Sequence, residues 1–481
     1  MNNNEVLGSI NFGGRTAEDE ADNLRRIFVE TDQWQKVNTG EIDVIYGAKG
    51  SGKSAIYSLL QEQKPLSLRS SRIVVAAENP RGAPAFRDLE MDPPASEKEF
   101  VELWKIYLLT VLADIFPRHN IRNEFSYKTA SILKDAGLFQ PESTLGEKLK
   151  AAAAYVKRFF RSFDVGVEVD PVTGTPRASI KPVRPVPAED KPLSVSPDKL
   201  LEMADQALLR SNFEAWICID RLDVAFEDSI ELEANALRAL FKVYLDLTAR
   251  QHIRLKIFLR SDIWRRITDQ GFREASHITK TLTIVWSSDQ LLNLIMKRLL
   301  QSEKLLFGYG VERPTVLADI VLQKKLFYRI FPAQVEIGPK ERSTWEWILS
   351  RTQDGTGSNA PRELIHLMIA ARSIQLQQLD IGQNALQADQ LFSSAAIRDA
   401  LKEVSKVRLE QTIFAEHPRL RPSIAQLEGE KTYQTITTLS RLWGTDESST
   451  VQRVDELVQI GVLERAGKKN TLEYRVPFLY R

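Results

Sequence analysis

The sequence predicts an α/β protein with three regions: a mostly parallel sheet with its helices, a helical region, and a small C-terminal module. Short apolar runs rich in β-branched residues alternate with helical patterns over residues 1–302. This alternation is typical of a parallel sheet with helices on both faces. Residues 303–415 have mainly helical patterns, and residues 416–481 combine helices with two short strands. Within the first region, residues 117–200 form an insert.

Composition narrows the class of protein. The chain has 481 residues, of which 43% are apolar and 27% charged, with a net charge of +1. It is long enough for several domains, and its charge excludes a global attraction to nucleic acid or anionic membranes. The single cysteine, Cys218, excludes an intramolecular disulfide framework and a cysteine-rich zinc site. With no signal-peptide pattern and no apolar run of membrane-spanning length, we expect a cytoplasmic protein.

The strand patterns follow one another in the first region, each bounded by loops or helical segments. They are residues 42–46, 72–77, 214–219, 255–259 and 281–286. Helical patterns lie between strands at residues 55–60, 96–116 and 232–249, and another follows the last strand at residues 289–300. We expect these strands to form the sheet.

The insert holds a cationic amphipathic segment at residues 147–163, a hairpin turning at 170–174 and a proline-rich linker at 182–197. The amphipathic segment has two interpretations: a membrane-surface or partner helix, or a helix with one face packed and one solvated. Amphipathic helices mostly face a core, which favours the packed helix.

The most informative motif is G-A-K-G-S-G-K-S, which lies between the first strand and the helix at residues 55–60. It matches G-x-x-x-x-G-K-[ST], in which backbone N–H groups surround a phosphate. Lys53 would bind the β- and γ-phosphates, and Ser54 would bind Mg²⁺. The residues expected to line the nucleotide are Gly47, Ala48, Lys49, Gly50, Ser51, Gly52, Lys53, Ser54 and Ala55. The motif predicts binding of a nucleoside triphosphate with Mg²⁺.

Asp220 follows a buried strand pattern, as a second Mg²⁺ ligand requires. Many ATPases have a glutamate next, which orients the attacking water, but here Arg221 occupies that position. Asp223 is the acidic residue that replaces it in our interpretation, with a helix N-cap as the alternative. We therefore expect slow hydrolysis.

Two arginines are candidates for contacts with the γ-phosphate. Arg260 ends the strand pattern at 255–259, and Arg362 begins a helical pattern in the second region. A guanidinium in either place would stabilise charge on the phosphoryl oxygens. The alternatives are structural: a salt bridge from Arg260 to Asp262 or Asp223, and a surface salt bridge for Arg362.

Other enzyme motifs are absent from the sequence, including G-x-S-x-G, H-E-x-x-H and the calcium loop of EF-hands. The guanine-recognition sequence N-K-x-D is absent too. ATP is therefore preferred over GTP.

The C-terminal region predicts a winged helix-turn-helix, with helices at residues 437–442 and 448–459 and two strands around a turn at 466–470. It has two interpretations. DNA binding would use the second helix with Arg453 exposed, and Lys468 and Lys469 on phosphates. Packing against protein is the alternative, because positive and negative charges nearly balance in this region.

Several motifs together resemble a group of largely uncharacterised bacterial P-loop ATPases, similar to STAND and KAP NTPases and to AAA+ proteins of the origin-recognition type. The residues that carry the resemblance are Phe12–Asp19, Phe28–Asp32, the loop Lys49–Ala55, Ile219–Asp223, Phe258–Asp262 and Pro361–Ile365.

This resemblance implies an ATPase core at 1–302, an α-helical lid at 303–415 and a winged helix at 416–481. It implies that Arg260 has the sensor-1 position and Arg362 the sensor-2 position. STAND relatives are ATP-controlled switches that oligomerise, and many bacterial members act in anti-phage defence. Arg221 and the insert depart from the pattern.

Three functions follow. The first is an ATP-binding, slowly hydrolysing switch ATPase that forms homo-oligomers or acts with a separate effector protein, with defence as its setting. The second is a DNA-binding loader or regulator that uses the winged helix. The third is a scaffold that binds nucleotide structurally for a separate effector.

Overall fold

A computed structural model describes residues 3–17, 19–20, 22–62, 72–77, 96–139, 143–161, 163–169, 176–182, 193, 195–222, 230–383, 386, 389–467 and 473–481. The chain divides into two compact units. The helical unit comprises Met1–Trp34, Gly47–Ala55 and Ile284–Arg481, and the sheet unit comprises Gln35–Tyr46 and Ile56–Thr283. The three-region division of the sequence stays a prediction.

The strands are β1 (Val44–Gly47), β2 (Arg72–Ala76), β3 (Phe163–Val169), β4 (Pro176–Pro182), β5 (Glu214–Ile219), β6 (Ile253–Arg260), β7 (Thr281–Thr283), β8 (Tyr433–Gln434), β9 (Glu464–Ala466) and β10 (Glu473–Arg475). The helices of the first 300 residues are α1 (Asn3–Ser9), α2 (Leu24–Ile27), α3 (Asp32–Thr39), α4 (Lys53–Glu62), α5 (Glu97–Arg118), α6 (Glu124–Asp135), α7 (Leu145–Arg161), α8 (Pro197–Arg210), α9 (Ile230–Thr248), α10 (Ser261–Asp269) and α11 (Ser288–Leu299).

The later helices are α12 (Glu303–Tyr309), α13 (Arg313–Ala318), α14 (Ile320–Ile330), α15 (Thr344–Thr352), α16 (Pro361–Asp380), α17 (Ser394–Arg408), α18 (Phe414–Glu416), α19 (Arg421–Ala425), α20 (Ile436–Trp443) and α21 (Glu447–Gln459). A π-helical turn, Leu409–Ile413, joins α17 to α18.

The sheet has five strands in the order β2-β5-β6-β1-β7. Neighbours β2 and β5, β5 and β6, and β1 and β7 pair in parallel. The two central strands β5 and β6 are buried along nearly their whole length, as expected for a parallel sheet covered on both faces. The predicted strands are confirmed, but the last ends at Thr283 rather than at Trp286.

Helix α5 is the central packing element of the sheet unit. Its N-cap Ser96 accepts a hydrogen bond from the Glu99 N–H at 3.3 Å, as the capping pattern predicts. Apolar side chains on nearly all of its sides are buried, which is typical of a helix enclosed by others. It packs against α7, α8 and α9.

The insert contains α6, α7 and a two-stranded antiparallel sheet of β3 and β4. On α7, the side chains of Leu149, Ala152 and Val156 are buried, while Phe159 is exposed. This amphipathic helix therefore uses its main apolar face for packing within the sheet unit. The predicted hairpin turn at 170–174 and most of the proline-rich linker lie outside the described residues.

In the helical unit, a buried ion pair fixes the N-terminal segment. Arg298 on α11 donates to Glu20 Oε1 and Oε2 at 3.0 and 2.8 Å, and to the carbonyl of Phe12 at 2.9 Å. Burial raises the pKa of Glu20 and lowers that of Arg298, although each opposes the shift of the other. The segment that carries the first motif of the resemblance thus has a structural role.

The C-terminal part of the helical unit has an apolar core of its own, which includes Ile413, Leu439, Trp443 and Leu457. Helices α20 and α21 precede the ribbon of β9 and β10, and β8 pairs with β10 on its other side. Arg453, expected to be exposed, is only partly so because its guanidinium lies 5.4 Å from the ring centre of Trp443. Among the described residues, no helix has the length and apolarity needed to cross a membrane.

Candidate functional site: a phosphate-binding loop

The phosphate loop, Gly47–Ser54, begins where the buried strand β1 ends and runs into the first residues of α4. Gly50 and Gly52 have φ angles of +80° and +101°. Side chains larger than glycine rarely adopt these angles, so the glycines permit the tight curve of the loop. The ten-residue helix α4 begins at Lys53, directly after this curve, and the backbone N–H groups at a helix start point toward its N-terminal end.

Close packing also requires glycine in the loop. A Cβ atom on Gly47 would lie 2.3 Å from Ser51 Oγ, and one on Gly50 would lie 2.9 Å from Arg362 Cβ. Ser51 Oγ is itself buried and has no hydrogen-bond partner within the described part of the chain. A glycine cradle with an orphaned buried hydroxyl fits a phosphate group, which accepts hydrogen bonds from O–H and N–H donors.

Two side chains donate to carbonyl groups of the loop. Lys53 Nζ donates to the carbonyls of Gly47 and Ala48 at 2.8 and 3.0 Å. Trp286 Nε1 donates to the carbonyl of Ser51 at 2.8 Å. The Lys53 ammonium therefore lies over the loop, where the motif places the charge that binds β- and γ-phosphates.

The third loop residue, Lys49, forms an ion pair with Glu416 at the end of α18. Both side chains are partly buried, with exposed fractions of 29% and 24%. The two residues are 367 positions apart in the chain. No sequence pattern indicated this pair.

Arg362 lies at the start of α16, where its Cβ packs close to Gly50. The structure therefore brings this predicted site residue to the phosphate loop, and its Nε is buried with no partner among the described residues. The surface salt bridge proposed as its alternative is not observed in this part of the chain. Glu363 beside it is 4% exposed and accepts a hydrogen bond from Arg408 Nη1 at 2.8 Å.

Arg408 is the centre of a buried charge cluster. Its Nε lies 3.5 Å from the Tyr480 hydroxyl, and its Nη2 lies 3.9 Å from Asp354 Oδ2. Burial opposes its charge, but Glu363 and the other neighbours outweigh this effect and raise the pKa of Arg408. Burial raises the pKa of Tyr480 to about 12. The Arg408 guanidinium and the carboxylates of Glu363 and Asp354 therefore stabilise one another.

In the sheet unit, Asp220 follows β5 and is 4% exposed. Arg221 has a φ of +58°, a left-handed conformation that costs a non-glycine residue about 1–2 kcal/mol. Strained backbone of this kind clusters at functional sites. Asp223, the predicted acidic substitute, lies outside the described residues.

Arg260 ends β6, which lies between β5 and β1 in the sheet. Because β5 and β6 are parallel, Asp220 and Arg260 lie at the same edge of the sheet. Arg260 Nε and Nη2 donate to Asp262 Oδ1 and Oδ2 at 3.1 and 2.8 Å. Burial opposes ionisation of Asp262, but Arg260 outweighs this effect and lowers the pKa of the Asp262 carboxyl. The salt bridge considered as the structural alternative for Arg260 is therefore present.

Comparison with known proteins gives no matching family model and no matching curated protein. Among solved structures, the chain is similar to the Aeropyrum pernix ORC2 protein in its ADPNP-ADP complexes, with a TM-score of 0.40 and 12% identity over 97% of this chain and 91% of that chain. The ADP form of that protein gives a TM-score of 0.31 and 12% identity, over 92% and 86% of the two chains. TM-scores below 0.5 do not establish a common fold, so the functional argument rests on the residues themselves.

The residues of the phosphate loop fit a phosphate group better than they fit a metal ion. Within the described ranges, no cluster of three or more His, Cys, Asp or Glu side chains forms a metal site. A Mg²⁺ ion held with a nucleotide needs fewer protein ligands, because it keeps several waters and binds phosphate oxygens. Ser54 and Asp220 have the oxygen ligands that it prefers and remain the predicted pair.

Proposed function

We propose that the protein is an ATP-binding switch ATPase that hydrolyses ATP slowly. The observation that carries this proposal is the phosphate loop, in which Gly47 and Gly50 have no space for a side chain and Lys53 lies over the loop. When bound, ATP with Mg²⁺ would supply a γ-phosphoryl group that distinguishes the two states of a switch. The chain would supply the donors that hold and orient it.

Each predicted residue has a role in this proposal. Lys53 and the loop N–H groups bind the phosphates, and Ser54 and Asp220 hold Mg²⁺. Arg362 packs against Gly50, which favours its role as a second cation on the nucleotide. Arg260 is a cation at the same sheet edge as Asp220, and it would exchange part of its pairing with Asp262 for the γ-phosphate.

Slow hydrolysis follows from Arg221. A cation in a strained conformation follows Asp220 at the position where a carboxylate would orient the attacking water. Asp223 remains the proposed acidic substitute. A setting in anti-phage defence, and assembly into homo-oligomers or with an effector, stay predictions of the resemblance.

Titration calorimetry of the full chain with a non-hydrolysable ATP analogue and Mg²⁺ tests the proposal. We expect binding that Lys53→Ala weakens about a hundredfold or more, because the variant loses a charge-assisted contact with two phosphates. Lys402→Ala is the matched control, since that lysine is 77% exposed. Equal binding by the wild type and Lys53→Ala would contradict the proposal.

A second candidate function is DNA binding by the C-terminal module, which we interpret as a winged helix-turn-helix. Two of the three acidic side chains on α21 pair with arginines, Asp455 with Arg465 at 2.7 Å and Glu456 with Arg419 at 3.4 Å, while Glu447 lies in the first turn of the helix. Ser449 and Gln452 are exposed on the same helix. Gln and Ser side chains are suited to hydrogen bonds with base edges in the major groove.

This second function predicts salt-dependent binding of duplex DNA that the double variant Ser449→Glu/Gln452→Glu abolishes, since carboxylates would face the DNA phosphates. Gln459→Glu, at the exposed C-terminal end of the same helix, is the control. Binding that responds equally to both changes would show that α21 does not contact DNA through this face.

A further inference from the structure

Two contacts join the phosphate loop to the C-terminal part of the helical unit: an ion pair, and a packing contact that leads to a buried ion pair. The first is the ion pair between Lys49 and Glu416. Glu416 ends a continuous helical run that passes from α17 through the π-helical turn into α18. Ile413 in that turn belongs to the apolar core of the C-terminal module. Glu416 therefore lies on the same helical run as a side chain of that core.

The second contact passes through α16. Gly50 packs against Arg362, and Glu363 next to it binds Arg408 at the end of α17. Arg408 also reaches Tyr480 near the C-terminus of the chain. In addition, the Gly355 N–H donates to the carbonyl of Gly461, directly after α21, at 2.8 Å. The loop and the C-terminal module thus share a network of contacts within one unit.

The two contacts differ in how easily they break. Glu363 and Arg408 are 4% and 9% exposed, so separating them would leave a buried charge unpaired at a cost of about 3–5 kcal/mol. Lys49 and Glu416 are 29% and 24% exposed, and partly exposed pairs contribute about 1 kcal/mol or less. The buried pair therefore remains closed in both states of a switch, and the exposed pair is the one that opens.

Charge determines whether nucleotide binding strengthens or weakens the ion pair between Lys49 and Glu416. The loop that carries Lys49 has the geometry to receive a polyanion, and Glu416 places a carboxylate beside it. A triphosphate and the Glu416 carboxylate repel each other and compete for the Lys49 ammonium. A ligand that weakens a contact is itself bound more weakly while the contact persists, because coupling between sites is reciprocal.

We propose that the Lys49–Glu416 ion pair is a latch: it holds the C-terminal module on the phosphate loop, and nucleotide binding opens it. The latch rests on the proposed nucleotide site and specifies how that site is regulated. Opening frees α18 and the core around Ile413, while Glu363 and Arg408 act as the pivot.

The test uses Glu416→Gln in the full chain, with Glu410→Gln as the matched control. Both changes remove one carboxylate, and Glu410 is exposed in the π-helical turn near Glu416. Titration with ADP and with a non-hydrolysable ATP analogue should show about three- to tenfold tighter binding for Glu416→Gln and no change for Glu410→Gln. Equal affinities for the two variants would overturn the latch.

Hydrogen exchange in the wild type gives a readout that needs no variant. Exchange in α20 and α21 should become faster when the ATP analogue is added, and Glu416→Gln should show the faster exchange without nucleotide. Unchanged or slower exchange on binding would overturn the latch. If these latch tests are negative, binding by the wild type but not by Lys53→Ala would show that only the latch fails. If the wild type binds no nucleotide, the proposed function fails as well.

Discussion

The phosphate loop and the Asp220–Arg221 edge of the sheet differ in the type of residue that has a positive φ angle. In the loop, the positive φ angles fall on Gly50 and Gly52, which adopt them without strain. At the sheet edge, the positive φ of +58° falls on Arg221, whose side chain makes the conformation costly. The loop is thus built for holding phosphate, whereas the position beside Asp220 departs from what rapid hydrolysis needs. From this difference we expect nucleotide binding and hydrolysis to be separable in this chain.

The largest effect is expected from Asp220→Asn. Loss of the Asp220 carboxylate would remove the proposed Mg²⁺ ligand and should lower turnover at saturating ATP and Mg²⁺ about a hundredfold. Binding of ATP in the presence of EDTA should not change. Asp135→Asn, which removes an exposed carboxylate at the end of α6, is the control for phosphate release. Undiminished turnover in Asp220→Asn would place the metal ligand elsewhere.

Gly50→Ala tests the loop itself. The new Cβ would meet a φ of +80° and lie 2.9 Å from Arg362 Cβ, so we expect a loss of about 2–3 kcal/mol in the free energy of unfolding. Nucleotide affinity should also fall about tenfold. Gly310 has a φ of +63°, but a new Cβ there would have no atom within 4 Å. Denaturation should therefore show that Gly310→Ala lowers the free energy of unfolding by only about 1 kcal/mol. Similar losses in both variants would argue against close packing at Gly50.

At the sheet edge, Arg221→Gly should relieve strain. We expect stability to rise by about 0.5 kcal/mol, since the gain in backbone energy slightly exceeds the extra entropy of the unfolded chain. Asn212→Gly is the comparison, because Asn212 has a φ of +56° and asparagine tolerates this region. Thermal melts should show opposite signs for the two variants. A clear loss in Arg221→Gly would mean that the Arg221 side chain makes a stabilising contact that exceeds its strain.

The smallest effect concerns the pH dependence of the Arg260–Asp262 pair. Arg260 lowers the pKa of Asp262 below its ordinary value, against the effect of burial. The pair therefore stabilises the folded state above about pH 4 and loses this contribution as the pH falls through the lowered pKa. Since Asp262 is 32% exposed, Asp262→Asn should cost about 0.5 kcal/mol at pH 7. The stability difference between variant and wild type should shrink as the pH falls through the lowered pKa of Asp262, and a difference that stays constant with pH would assign the effect to packing.

Much of the sheet unit could be predicted from the sequence because its signals are local. Buried parallel strands appear as short apolar runs, and β5 and β6 are such runs. The sequence predicts a strand that continues to Trp286, whereas β7 ends at Thr283. Ile284, Val285 and Trp286 are apolar but lie outside the hydrogen-bonded strand. Apolar character alone does not show where hydrogen bonding stops.

The contacts around the loop could not be predicted in the same way. Glu416 contacts Lys49 in the loop, and Arg408 contacts Glu363 beside the loop. Both contacts exist only because the helical unit brings together segments that are distant in the sequence. Charged residues on helices are usually solvated, so nothing in the local pattern marks these two. The contact of Trp286 could not be predicted either, because its hydrogen bond to the Ser51 carbonyl joins two residues that are 235 positions apart. Arg362 is a candidate because it begins a helical pattern, and the resemblance implies the sensor-2 position for it; in the structure it lies beside Gly50.

Phosphate release from the wild-type chain at saturating ATP and Mg²⁺, measured alongside calorimetric binding of the ATP analogue, tests whether tight binding is combined with slow hydrolysis. We expect micromolar or tighter binding with turnover below about 0.1 per second, well under the typical enzyme value of about 10 per second. Turnover of about 10 per second or more would contradict this expectation, because the site would then activate water efficiently in spite of Arg221.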